Sequence, residues 1–274
     1  MSDETTKTKK TAHSLKYPVM LVHGFGFRDE KRINYWGRIP KLLEEKGCAV
    51  FYGKQDSSGT IEDNALFLKE RIEEILRETG AEKVNLIAHS KGGLEARYLI
   101  STLKTADKVA SLTTISTPHR GSETIEKIPD FLLKIAGFFM NVWMRIMGDK
   151  NPHAYQAYLS FRTDSAEIFN KNNPDSENVY YQSYAFVMKR DIFLWFPHLI
   201  IRLLEGENDG LVTPKSAAWG DFKGIVKSNS KRGISHCDEV DLRRRKFTKK
   251  AGDGVCDILE VYANIADTLY EKGF

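Results

Sequence analysis

Cysteine is scarce: Cys48, Cys237 and Cys256 are the three in 274 residues. They are too few and too scattered for a disulfide framework or a zinc cluster, and an odd number leaves at least one without an intrachain partner. Charge of one sign is lacking too. The 41 Lys+Arg against 37 Asp+Glu leave +4, which gives no argument for a nucleic-acid partner. No apolar run reaches the roughly 18 residues of a transmembrane segment. The nearest approach, Phe131 to Met147, is interrupted by Lys134, Asn141 and Arg145. Internal repeats and Pro- or Ser-rich linkers are missing, and the first sixteen residues hold no apolar stretch that would read as a secretory signal. The expectation is a cytoplasmic chain or the mature form of a secreted one.

What is present is a composition of 41% hydrophobic and 28% charged residues, which excludes wholesale disorder. Short apolar runs predict strands over residues 18–23, 48–52, 84–89, 109–116 and 179–186, with a weaker one over 222–226. Continuous apolar runs fit strands covered on both faces, as in a parallel sheet. Between them, Ile61, Ala65, Leu68, Ile72, Ile75 and Leu76 share one helical face, with Thr60 and Asp63 offering a capping box and Gly80 a stop. Ile258, Val261, Tyr262, Ile265, Leu269 and Tyr270 make a second stripe. Strand then helix, repeated, predicts a doubly wound α/β sheet in one domain over residues 17–274, preceded by a flexible tail over 1–16.

The sharpest chemical signal is Ala88-His89-Ser90-Lys91-Gly92, which follows a predicted strand and opens a predicted helix. It reads as a nucleophile elbow, with Ala88 in place of the first Gly of G-x-S-x-G. The turn needs small residues two before and two after the serine, so that strand and helix backbones can approach. Ser90 then stands at a helix amino end, where the Lys91 N–H can serve a developing oxyanion. An ordinary N-cap serine is the bland alternative. The earlier His23-Gly24-Phe25-Gly26 loop sits where a second donor belongs, the Phe25 N–H. A serine hydroxyl needs a base, and the base an orienting carboxylate. In the order serine, acid, histidine, the Gly-flanked Asp209 and the late-loop His236 qualify. His13 lies in the tail, while His23 and His89 sit inside the motifs as buttresses.

These residues resemble the bacterial true-lipase (triacylglycerol lipase) family of the α/β-hydrolase fold, through PVMLVHGFGF, VNLIAHSKGGLEARYL, LTTISTPHRGS, NDGLV and HCDEV in the family's order. The resemblance implies a mostly parallel central sheet flanked by helices, with a helical lid or cap at about 122–175. It implies Ser90 as nucleophile, Asp209 as acid, His236 as base and Phe25 and Lys91 as backbone donors. The implied partner is a lipid ester met at a lipid–water interface. No organic or redox cofactor is required. Many members bind a structural calcium; Asp238 matches one ligand position, Asp191 a second if a short gap is allowed, and Leu242 a further one with a side chain that cannot coordinate. Solvated loop carboxylates are the alternative.

The resemblance turns residues 125–147 into an amphipathic lid, against which stands a buried core helix, and Ile192 to Leu204 into an opposite wall. The basic residues Lys227, Lys231, Arg232, Arg243 to Lys246, Lys249 and Lys250 read as a solvated face rather than as a patch for anionic surfaces. Ester hydrolysis on triacylglycerol is the leading expectation. A short-chain esterase, phospholipase or acyltransferase shares the same triad, and a non-catalytic lipid- or partner-binding relative is the alternative of a different class.

Overall fold

Continuous apolar runs become the middle of a sheet here, and the weakest run becomes its edge. The computed structural model describes residues 14–26, 28–29, 34–249 and 252–274. The predicted tail therefore lies almost wholly outside the described residues, as does His13, although Leu15 is already packed into the core. Strands β1 (Val19–Val22), β2 (Val50–Tyr52), β3 (Val84–His89), β4 (Val109–Ile115), β5 (Tyr180–Phe186) and β6 (Asp221–Val226) form one all-parallel sheet in the order β2-β1-β3-β4-β5-β6. All six predicted strands form, each within two residues of the expected ends. β1, β3 and β4 are buried throughout, whereas the edge strand β6 is exposed or half-buried along its length.

Alternation along the strands divides the core in two. Val19, Leu21, Ile87, Tyr184 and Phe186 face α1 (Ile39–Glu45) and the C-terminal helix α10 (Ile258–Glu271). Met20, Val22, Leu86, Ala88 and Leu112 face α2 (Ile61–Thr79) and α3 (Lys91–Ser101). At the start of α2 the Thr60 side chain accepts the Asp63 N–H, and Gly80 ends the helix at φ +70°. The complete reciprocal capping box lies instead at α10, between Asp257 and Glu260.

Four helices intervene between β4 and β5: α4 (Glu123–Lys127), α5 (Asp130–Ile146), α6 (Ala154–Ser160) and α7 (Thr163–Asn172). A Cβ on Gly137 would come within 2.9 Å of Tyr155 Cβ, so α5 and α6 approach backbone to backbone. α5 is not the buried core helix that was its alternative reading. Leu133, Gly137 and Met144 are covered, while Phe131, Ile135, Phe138, Phe139, Trp143 and Ile146 face outward. α8 (Trp195–Leu204) behaves likewise, with Trp195, Phe196, Leu199 and Leu203 exposed, and α9 (Pro214–Ala217) follows it. Among the described residues no helix is long and apolar enough to cross a membrane.

Candidate active site

After β1 the chain turns to one side of the sheet to make β2, and then crosses to the other side to make β3. The loops leaving β1 and β3 therefore part at their carboxyl ends, which opens the crevice where parallel α/β sheets take their ligands. His23 to Gly26 leave β1 there, and Ser90 leaves β3.

Ser90 has φ +53° and ψ −127°, a conformation that is strained for any residue with a Cβ. Tight packing of the elbow holds it. A Cβ on Gly92 would lie 2.5 Å from the His23 carbonyl oxygen, one on Gly93 would lie 2.1 Å from Thr117 Oγ1, and one on Gly24 would meet Ser90 Cβ at 2.8 Å. The Phe25 and Lys91 amides donate to no other protein group among the described residues. The Phe25 ring rests against Tyr158 and Phe161 at the end of α6, with centroids 5.4 and 6.4 Å away.

The Lys91 side chain is buried behind the elbow and paired with Glu95. Glu95 also accepts from Asn64 (2.7 Å) and from Gln55 (3.1 Å). The same Gln55 amide donates to the His23 carbonyl at 3.0 Å, and the His23 ring reaches the Gln55 and Gly24 carbonyls at 3.0 and 2.8 Å. His23 thus buttresses its loop, as its position within the motif suggested.

The structure brings Asp209 and His236 together. His236 Nδ1 lies 2.9 Å from Asp209 Oδ2, and Asp209 Oδ1 accepts the Leu211 and Val212 amides at 2.8 Å each. Burial pushes the Asp209 carboxyl up, but the adjacent His236 imidazole and these hydrogen bonds hold it below the ordinary carboxylate value. The His236 ring stands 4.4 Å, centroid to centroid, from the ring of His89, the residue before Ser90. The Ser90 hydroxyl itself has no hydrogen bond among the described residues; serine-to-imidazole contacts are often long until substrate is bound.

Sequence reasoning missed the support beneath this pair. Glu239 is wholly buried, with Oε2 at 3.2 Å from His89 Nε2 and 3.8 Å from His236 Nδ1. Burial first, and then the Asp209 charge, raise its carboxyl well above the ordinary range, which favours its protonated form. Burial drives His89 the other way and keeps it neutral. The bonds assign its tautomer: Tyr35 O–H donates to His89 Nδ1 (2.7 Å) while accepting the Gly24 N–H (3.0 Å), which leaves Nε2–H to face Glu239. His89, His236 and Glu239 bring potential ligand atoms within 4.8 Å of one another, and each is already engaged in this hydrogen-bond network.

The two carboxylates expected to hold calcium fit that ion poorly. Arg243 reaches between them, bonded to Asp191 Oδ2 and with Nε 3.4 Å from Asp238 Oδ1. The remaining oxygens accept from protein donors, Asp191 Oδ1 from the Phe193 amide (2.8 Å) and Asp238 Oδ2 from the Ser235 hydroxyl (2.8 Å). Calcium asks for six to eight oxygens. Arg243 also departs from the solvated basic face expected of its segment by turning inward; Lys250 of that segment lies outside the described residues.

A family model described as palmitoyl protein thioesterase matches residues 18–234. The chain is 34% identical to triacylglycerol lipase 2 of Saccharomyces cerevisiae over 259 residues, 88% of this chain and 75% of that protein. It is 26% identical to a triacylglycerol lipase of Pseudomonas fragi, over 94% of this chain and 97% of that one. The crystal structure of Staphylococcus hyicus lipase superposes with a TM-score of 0.68 at 17% identity, covering 95% of this chain and 97% of that chain, and so shares its fold. A sheet with its crevice at the turn into the elbow, a matched family model and a relative aligned over most of both lengths together make this chain a member of the bacterial-type lipase family of α/β-hydrolases, a hydrolase of ester bonds.

Proposed function

We propose that the chain is a lipase that cleaves lipid esters, with triacylglycerol as the substrate class, through an acyl-enzyme on Ser90. The observation that carries this reading is a strained serine at the crevice of the sheet beside a buried Asp209–His236 pair. His236 Nε2, opposite the nitrogen bound to Asp209, takes the Ser90 proton as Oγ attacks the ester carbonyl. The Phe25 and Lys91 amides receive the oxyanion. The imidazolium then gives its proton to the departing alcohol, leaving an acyl-serine. Water, deprotonated by the same ring, attacks that ester, and the fatty acid leaves as the proton returns to Ser90 Oγ. Asp209 holds the ring and balances its charge without taking the proton.

Ser90→Ala is expected to cut hydrolysis of a soluble p-nitrophenyl ester by at least about 10⁴-fold. It should also abolish labelling by a fluorophosphonate, with an unchanged circular dichroism spectrum. Turnover retained by that variant would refute the assignment. The exposed apolar faces of α5 and α8 favour a lipid–water interface as the place of action. A rate that rises when substrate passes from monomer to emulsion supports that, and a flat profile opposes it.

The thioesterase model favours a second reading, hydrolysis of long-chain acyl thioesters by the same steps. Comparing palmitoyl-thioester with triacylglycerol turnover by kcat/KM separates the two.

A further inference from the structure

We propose that the Arg243 guanidinium stands in the place of a bridging cation between Asp191 and Asp238, and so holds the loop carrying His236 without a metal. Asp191 belongs to the connection between β5 and α8, and Asp238 to the turn that presents His236. Their side chains are 1% and 7% exposed, too buried for water to balance two carboxylates. Arg243, itself 19% exposed, reaches both, and Arg232 adds a contact to Asp191 Oδ2 at 3.5 Å from the rim. Two negative groups thus meet two positive ones.

The chemistry of the donors completes the case. A divalent cation would find N–H groups where it needs oxygens, and a guanidinium charge where it would sit. The arginine instead matches the need, because its planar fork presents separate donors to separate carboxylates.

The bridge bears on catalysis through the turn that it ties down. Asp238 Oδ2 accepts from the Ser235 hydroxyl and, at 3.3 Å, from the Ser235 amide, while the Asp238 amide donates to the Ser235 carbonyl at 2.7 Å. His236 lies inside that turn, and its own amide donates to the Asp209 carbonyl at 2.9 Å. Arg243 is therefore a positioning residue, acting on the imidazole through Asp238.

The test begins with the unaltered enzyme in EGTA and in millimolar calcium chloride. Its Tm and its kcat on a soluble ester are expected to be the same in both; a Tm lowered by EGTA would overturn the proposal. Arg243→Ala is expected to lower kcat about tenfold with little change in KM, and to lower Tm by about 5 °C. With the guanidinium gone, Asp191 Oδ2 and Asp238 Oδ1 lose the donor they share and water can complete a cation's shell there, so calcium chloride should restore part of the Tm of Arg243→Ala. Arg243→Lys, which keeps the charge but loses the fork, should fall between the two enzymes and covers the case in which the alanine variant does not fold. A variant indistinguishable from the parent, or a Tm loss that calcium leaves unrepaired, would overturn the stand-in role. The Tm readouts need no substrate, so they are separable from the choice of ester.

Discussion

Glu239 lies three residues beyond His236 in a stretch of charged loop, and the sequence offers no sign that it is buried. Its raised carboxyl gives a signed expectation. Above the ordinary Glu value of 4.5 the unfolded chain has released this proton while the folded protein keeps it. Stability therefore falls as pH rises from 4.5 to the folded value, by about 1.4 kcal/mol per pH unit, and levels off beyond it. Glu239→Gln keeps the shape and removes the titration. Its Tm should match the parent near pH 4 and exceed it increasingly toward neutral and alkaline pH. Thermal melts from pH 4 to 9 check this, and a variant that gains nothing at high pH would show that the carboxyl is not held neutral. Ser90, Asp209 and His236 were legible as candidates because elbow chemistry and chain order restrict them to particular loops, and the structure brings the last two within 2.9 Å. Tyr35, Gln55, Glu95 and Glu239 were not, because each is an ordinary polar residue whose partners come from distant segments.

Helical elements were legible where one face alone is apolar and the caps are explicit, as in α2 and α10. α1, α6 and α7 were not read from the sequence. α6 spans seven residues, and the amide of its first residue, Ala154, is satisfied by Asn141 of α5, a contact only the folded chain provides. α5 and α8 are periodic, but periodicity cannot distinguish an apolar face against protein from one against solvent or lipid. Phe138 is 64% exposed and Trp195 59%, so removing them leaves the fold nearly untouched. The double variant Phe138→Glu, Trp195→Glu is expected to lose tenfold or more, in round terms about 1.4 kcal/mol, of its rate on emulsified triacylglycerol. Its Tm and its rate on a soluble short-chain ester should stay at the parent's values. An equal loss on both substrates would sink the interfacial role.

For the molecule as a whole, strand position is what the sequence withheld: apolar runs declare strands, but not that β2 lies outside β1 while β3 lies inside. That order comes from right-handed crossovers and from contacts between remote segments. One such contact is the fork of Arg38. It meets both oxygens of Asp241 at 2.7 Å each and both oxygens of Asp257 at 2.9 and 2.8 Å. It joins the start of α1, the turn beyond His236 and the N-cap of α10. Arg38→Met would strand two nearly buried carboxylates. The expected loss is about 2 kcal/mol and about 5 °C in Tm, read by urea and thermal unfolding. A change below 1 °C would mean that solvent balances those carboxylates unaided.

The Gln55 amide clasps the two walls of the crevice from beneath, one through the His23 carbonyl and the other through Glu95 on the helix that begins after Ser90. The helices between β4 and β5 meet one of those walls where Tyr158 and Phe161 rest against Phe25, and they take no part in this clasp. On the proposed lipase reading, a lid that swings aside would expose a cradle whose shape Gln55 already sets, so that contact with a lipid droplet would have only to unveil the crevice, with no assembly left to perform.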